Sequence, residues 1–211
     1  MSVWAVGRDP DELAATAAAP ATDAPPMQTR AVDLTDDGAL QELAAEVAAQ
    51  GPLGLLVHSA GVISLGPVET SRLEDFDAQW RVNTRAAYAL TQACLGSLRD
   101  GQGQVVFVNS SAALNARGGN GQFAATEAAV RAVADALRDE VNADGIRVLS
   151  LFPGRTATPR QERIHAGEGR EYAPERLMQP EDVASMLVAA AELPRTAEVT
   201  EISMRPFLKP L

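Results

Sequence analysis

Lysine is nearly missing from this chain of 211 residues: Lys209 is the only one, and arginine carries the rest of the positive charge. Cysteine is as scarce. Cys94 stands alone, which excludes a disulfide framework or a cysteine-based metal site within the chain. A lone cysteine in a helical pattern reads as a small buried hydrophobe. The two histidines, His58 and His165, lie too far apart in sequence to suggest a metal pair, so no metal site is expected. Aromatic residues make up 4% of the chain while alanine is abundant, which favours closely packed helices on a sheet over an all-β sandwich. No stretch approaches the roughly 18 apolar residues of a membrane span, and the N-terminus has no basic-then-apolar signal pattern. A cytoplasmic protein is expected. Basic runs are absent too. The formal net charge of -10 predicts a soluble chain that avoids nucleic acid and anionic membranes.

What is present is an alternation of apolar runs and helical patterns, organised around Val105 to Val133. The run Val105-Val106-Phe107-Val108 reads as a buried strand. It breaks at Asn109-Ser110-Ser111, passes a turn at Gly118-Gly119-Asn120-Gly121, and enters an Ala-rich helix at about Gln122. Such an order puts side chains at the carboxyl edge of a parallel sheet, where ligands bind.

The flanking segments repeat the scheme. Ser2 to Val6 reads as a strand, and Asp9-Pro10 supplies an N-cap and a first-turn proline for a helix to about Ala18. A Pro/Ala-rich loop covers 19–26, and Gln28 to Val32 is a second strand. A helix capped by Thr35 or Asp36 carries Leu40, Leu43, Ala44 and Val47 on one face, and Gly51-Pro52 stops it. Leu53 to Val57 is continuously apolar, as a strand covered on both faces should be, and runs into His58-Ser59-Ala60-Gly61. Leu73 to Leu98 is a long helical region with Asn83 in its middle. Ile146 to Phe152 is another strand, closed by Pro153-Gly154. Residues 158–178 are polar without a clean period and read as a mobile flap over the sheet edge. A helix from Pro180 to Leu193, a strand from Glu198 to Met204 and an extended tail follow. The whole is one α/β domain, 1–211, with a parallel sheet and helices on both faces.

These residues, in this order, resemble the short-chain dehydrogenase/reductase family, a Rossmann-like doubly wound fold. The resemblance covers nearly the whole chain. It implies that Arg8 meets the 2'-phosphate of NADP, that Asp33 contacts the adenine, and that Ser59 and Gly61 belong to the N-N-A-G turn. It further implies that Asn83 supports a proton-relay water, that Ser110 is the catalytic serine, and that Pro153-Gly154 faces the nicotinamide. The family commonly pairs through its two long helices, here Leu73 to Leu98 and Gln122 to Asn142. A homo-oligomer, or a hetero-oligomer with another protein of the family, is therefore expected.

The departures are as plain. The family's Y-x-x-x-K pair reads Phe123-Ala124-Ala125-Thr126-Glu127 here, and no G-x-G-x-x-G occurs. The fold therefore reads as lacking the usual first βα unit, which requires Arg8's strand to pair directly with Leu53 to Val57 or a partner to supply a strand. Phe123 has no proton to give, and losing a positioned general acid costs on the order of 10²–10⁴-fold. Glu127 would raise, not lower, the pKa of a nearby acid. The expectation is lost hydride transfer, with no cofactor bound. What remains is a binding or assembly subunit, or a non-redox catalyst taking a small molecule in a biosynthetic pathway. The alternative is an NADP-dependent oxidoreductase with a nonstandard site. Ser110 is then a carbonyl donor or a strand-end residue serving backbone groups. Glu127 is a general base in a pocket of Phe123 and alanines, or a solvated helix residue. His58 and Tyr172 are a structural histidine and a covering tyrosine, or catalytic substitutes.

Overall fold

The computed structural model describes residues 2–19 and 27–208. The loop read over 19–26, apart from Ala19, and the end of the tail at 209–211 lie outside the described residues.

Among the described residues, six parallel strands form two sheets. Strands β1 (Val3–Gly7) and β2 (Met27–Ala31) pair with each other, Val3 opposite Met27 and Gly7 opposite Ala31. Strands β3 (Leu55–His58), β4 (Gln104–Val108), β5 (Arg147–Pro153) and β6 (Glu201–Met204) make the second sheet in that order. The apolar runs of β4 and β5 are covered on both faces, and Val105, Val106, Phe107, Val148, Leu151 and Phe152 are buried. β1 and β3 do not pair. Direct pairing of these two strands, one of the two arrangements expected, is not what the chain adopts. Helices join the two sheets instead. Val32, Leu40, Leu43 and Ala44 share one apolar cluster with Leu90, Cys94, Leu98, Val105 and Val130, and Trp4 and Val6 of β1 and Leu56 of β3 pack against it.

The helices start where local chemistry allows. Helix α1 (Pro10–Ala17) has Asp9 accepting from the Asp11 and Glu12 amides and Pro10 in its first turn. Helix α2 (Asp37–Ala48) is capped by Asp36, whose side chain accepts from Ala39 N. The region read as one helix from Leu73 is three pieces: α3 (Leu73–Gln79), a π-helical turn (Trp80–Arg85) and α4 (Ala86–Gly101). Helix α5 (Gly121–Val141) follows the glycine turn, where Gly119 adopts φ 82° and its carbonyl accepts from Gly66 N at 2.8 Å. Residues 158–178 hold more structure than their polarity suggested. Thr158 caps α6 (Pro159–Gly167) by accepting from Gln161 N, Pro159 sits in its first turn, and a single 3-10 turn follows at Pro174–Arg176. Its buried residues are the polar Gln161 and His165, so no hydrophobic period marks it. Helix α7 (Pro180–Ala191) lays Val183, Leu187 and Ala190 on the second sheet's other face. Among the described residues, no helix is long and apolar enough to cross a membrane.

Candidate functional site

The first turns of α5 are pinned from two sides. Asn83, on the π-helical turn, accepts from Val62 N at 2.8 Å and donates to Val62 O at 2.9 Å and to Thr126 Oγ1 at 3.1 Å. Thr84 donates to Thr126 O at 3.1 Å. From the end of β4, Asn109 donates to the backbone carbonyl of Glu127 at 2.9 Å. Gln79 accepts from Ser64 N and donates to Gln122 Oε1. A π-helical turn spaces side chains differently from an α-helix and often marks a functional site. Here it aims Asn83 and Thr84, beside Gln79 at the end of α3, at α5 and the β3 loop.

Glu127 is buried, with 7% of its surface exposed. The reading as a solvated helix residue fails on this burial, and the Glu127 backbone is held by Asn109 as well. Burial pushes its pKa up to about 7, against a smaller opposing pull from the Arg160 guanidinium. A carboxyl in that range can give a proton on one side of neutrality and take one on the other.

A cavity of about 920 Å³ opens at the carboxyl ends of β1, β2 and β3. Val6, Gly7 and Arg8 line it beside Val32 to Thr35 and Ser59 to Ile63, while α6 closes the far side with Arg160, Arg163, Ile164 and Gly167. Asp33 accepts from Thr35 N and Thr35 Oγ1, which lowers its pKa, with a smaller contribution from Arg8. Arg160 donates to Gly61 O at 2.6 Å. A side chain at Gly61 would press on Asn83 Oδ1 at 3.3 Å, so the turn needs a small residue there.

Of the residues singled out in sequence, the cavity gathers Arg8, Asp33, Ser59 and Gly61. Asn83 sits behind it and holds Val62, one of its walls. Ser110, Glu127, Pro153 and Gly154 are not in its lining, although Glu127 is coupled to it electrostatically through Arg160. Ser110 Oγ accepts from Ala112 N at 3.1 Å and opens a 3-10 turn. Gly154 has a packing reason of its own: a Cβ there would lie 3.2 Å from Pro206 and 3.3 Å from Met204 O. His58 is structural, bonded to Thr91 Oγ1 at 2.8 Å and stacked on Phe107, and burial lowers its pKa to about 4. Tyr172 packs edge-on against His165 and donates to Thr158 O at 3.5 Å. Cys94 is buried, and desolvation raises its thiol to about 11. Arg160 and Arg163 escaped sequence reading. The available signal was Thr158-Pro159, a cap and first-turn proline announcing a helix.

The model of the short chain dehydrogenase family matches residues 1–169. The chain belongs to that family. An uncharacterized short-chain type dehydrogenase/reductase of Sinorhizobium fredii is 31% identical over 98% of this chain and 82% of its own length. An NADPH-dependent 3-dehydrocapnine reductase of Ornithobacterium rhinotracheale is 34% identical over 63% of this chain and 50% of its own. In fold, an alcohol dehydrogenase of Thermococcus sibiricus, solved with 5-hydroxy-NADP, superposes with a TM-score of 0.86 at 21% identity, covering 100% of this chain and 88% of that one. The expectation of lost hydride transfer is corrected by these relatives, which are named as dehydrogenases and reductases. That expectation weighed two side chains and one loop. The family match extends over most of the short-chain dehydrogenase frame, and a buried, protonatable carboxyl stands one turn from Phe123.

Proposed function

We propose that this chain is an NADP(H)-dependent oxidoreductase that interconverts a carbonyl and an alcohol, with Glu127 carrying the proton. The observation that supports this most is the cavity at the strand ends, where Arg8 and Asp33 stand side by side. A cationic group beside a carboxylate that accepts hydrogen bonds suits a phosphorylated ribose and its neighbouring base. The cavity's arginines have no carboxylate within ion-pair distance among the described residues, so they fit a phosphate-bearing cofactor. Arg8 and Asp33 would hold the adenosine end, and Ser59 and Gly61 the middle of the ligand.

When bound, the nicotinamide supplies or accepts the hydride. The protein's own task is the proton. In reduction the Glu127 carboxyl gives its proton to the carbonyl oxygen and becomes a carboxylate, which Arg160 then stabilises. In oxidation the carboxylate takes the alcohol proton. Ser110 would donate a hydrogen bond to the same oxygen, since accepting from Ala112 N leaves its own proton available. Association through α4 and α5 belongs to the same proposal, because Trp80 and Tyr88 on that side are about half exposed.

The test is calorimetric titration with NADPH and NADH at low salt, followed by NADPH consumption with simple ketones and aldehydes. Micromolar NADPH binding and carbonyl-dependent consumption are expected. Absence of binding at millimolar cofactor would overturn the assignment.

A further inference from the structure

The far wall of the cavity carries a feature that the strand ends do not explain. Arg160, Arg163 and Gly167 fall three and four residues apart on α6, hence on one helix face, and all three line the cavity. Two guanidiniums on one face repel. Burial first, and then the Arg163 charge, lowers the Arg160 pKa, while Glu127 opposes them. Several other arginines of the chain are paired: Arg30 with Glu46, Arg85 with Asp37, Arg99 with Asp144 and Arg155 with Glu168. Arg160 and Arg163 have no carboxylate within ion-pair distance among the described residues. Glu168, at the same rim, is held by a neighbour: Arg155 Nη2 donates to both of its oxygens at 2.8 Å. In a chain of net charge -10, two neighbouring arginines without an ion-pair partner concentrate positive charge on this cavity wall.

Position narrows the ligand. Arg160 reaches the Gly61 carbonyl and senses Glu127, so it stands on the reactive side. Arg8 and Asp33 line the other end of the same cavity. A group bridging Arg160 and Arg163 therefore lies between the two ends of an elongated ligand. Guanidinium forks bind phosphate oxygens in bidentate fashion, and two adjacent forks match two linked phosphates.

We propose that Arg160 and Arg163 of α6 form a diphosphate-binding site that grips the dinucleotide from the flap side of the cavity. This rests on the cofactor assignment above for the identity of the ligand, but not for its chemistry. The positive charge on this cavity comes from the side chains of Arg8, Arg160 and Arg163.

Arg163→Gln is the informative variant, since Arg163 is exposed and makes no hydrogen bond or ion pair to the fold among the described residues. Wild type, Arg163→Gln and Arg163→Lys would be titrated with inorganic pyrophosphate, inorganic phosphate and NADPH at low salt, with the melting temperature as a fold control. The expected result is pyrophosphate binding that competes with NADPH, weakened roughly tenfold or more by Arg163→Gln, partly kept by Arg163→Lys, at an unchanged melting temperature. Unchanged pyrophosphate and NADPH affinity in Arg163→Gln would overturn the site. Pyrophosphate binding that depends on Arg163 without any NADPH binding would leave the site standing and remove the cofactor assignment. NADPH binding indifferent to Arg163 would do the reverse.

Discussion

Two regions at the carboxyl ends of the strands are built on opposite plans. Around the start of α5, polar side chains are buried and matched to one another: Asn83, Thr84, Asn109 and Thr126 spend their hydrogen bonds inside the protein. Across the cavity, Arg8, Arg160 and Arg163 are exposed and lack a carboxylate partner among the described residues. A saturated network holds one arrangement because every alternative leaves a buried group unpaired. An uncompensated charge cluster waits for an anion. The first region positions; the second, on the proposal above, binds. Glu127 stands on the seam, its backbone carbonyl in the network and its carboxyl facing Arg160's field.

The largest expected effect comes from breaking that seam. Glu127→Gln keeps the shape and removes the proton, so carbonyl reduction should fall by about 10²–10⁴-fold while NADPH affinity stays. In wild type, reduction needs the protonated carboxyl, so the rate should be flat below a pH of about 7 and decline above it, with oxidation showing the mirror profile. Stability carries a second signature. The folded pKa is raised from 4.5 to about 7. The folded state therefore holds the proton more tightly than the unfolded chain, and stability falls as pH rises through that window. Glu127→Gln should abolish that slope. A variant with wild-type rate and an unchanged pH profile would remove Glu127 from the chemistry.

A smaller effect is expected from loosening the network itself. Asn83→Ala strands the Val62 amide and frees the loop that forms part of the cavity wall. Leaving a buried donor unpaired and losing its partners costs about 2–3 kcal/mol, measurable by urea unfolding. Weaker NADPH binding should accompany it through the displaced Gly61–Val62 segment. A change within about 0.5 kcal/mol, the range of ordinary surface substitutions, would show that the network is not what fixes this edge.

The contrast also explains what was legible beforehand. The apolar runs of β4 and β5 and the caps at Asp9 and Asp36 carry their signal in a few adjacent residues, and they formed as read, whereas the run read over Leu53 to Val57 forms a strand only from Leu55 to His58 and leaves Val57 exposed. Arg8, Asp33, Ser59 and Gly61 sit at strand ends, and a strand's end fixes where its next residues go. Helix α6 buries Gln161 and His165 rather than an apolar stripe, so its two cavity-facing arginines left no periodic trace. The π-helical turn at Trp80–Arg85 was hidden because tertiary hydrogen bonds, not local propensity, hold it. The separation of β1 from β3 was equally hidden: the packing of α2 on α4 holds the two sheets together without hydrogen bonds between these strands.

The smallest effect sharpens the comparison by serving as its control. Arg85 makes a two-point ion pair with Asp37 at 2.6 and 2.7 Å, yet both side chains are about half exposed. Exposed pairs gain little because water screens them and two flexible side chains must be held. Arg85→Ala should leave the melting temperature unchanged within error. Raising the salt concentration should likewise leave the wild-type melting temperature alone, yet weaken pyrophosphate binding at Arg160 and Arg163, where an anion is drawn from solvent to unneutralised charge. If salt moved the melting temperature and spared pyrophosphate affinity, the roles of the two charge sets would be reversed. The cavity arginines would then serve the fold rather than a ligand.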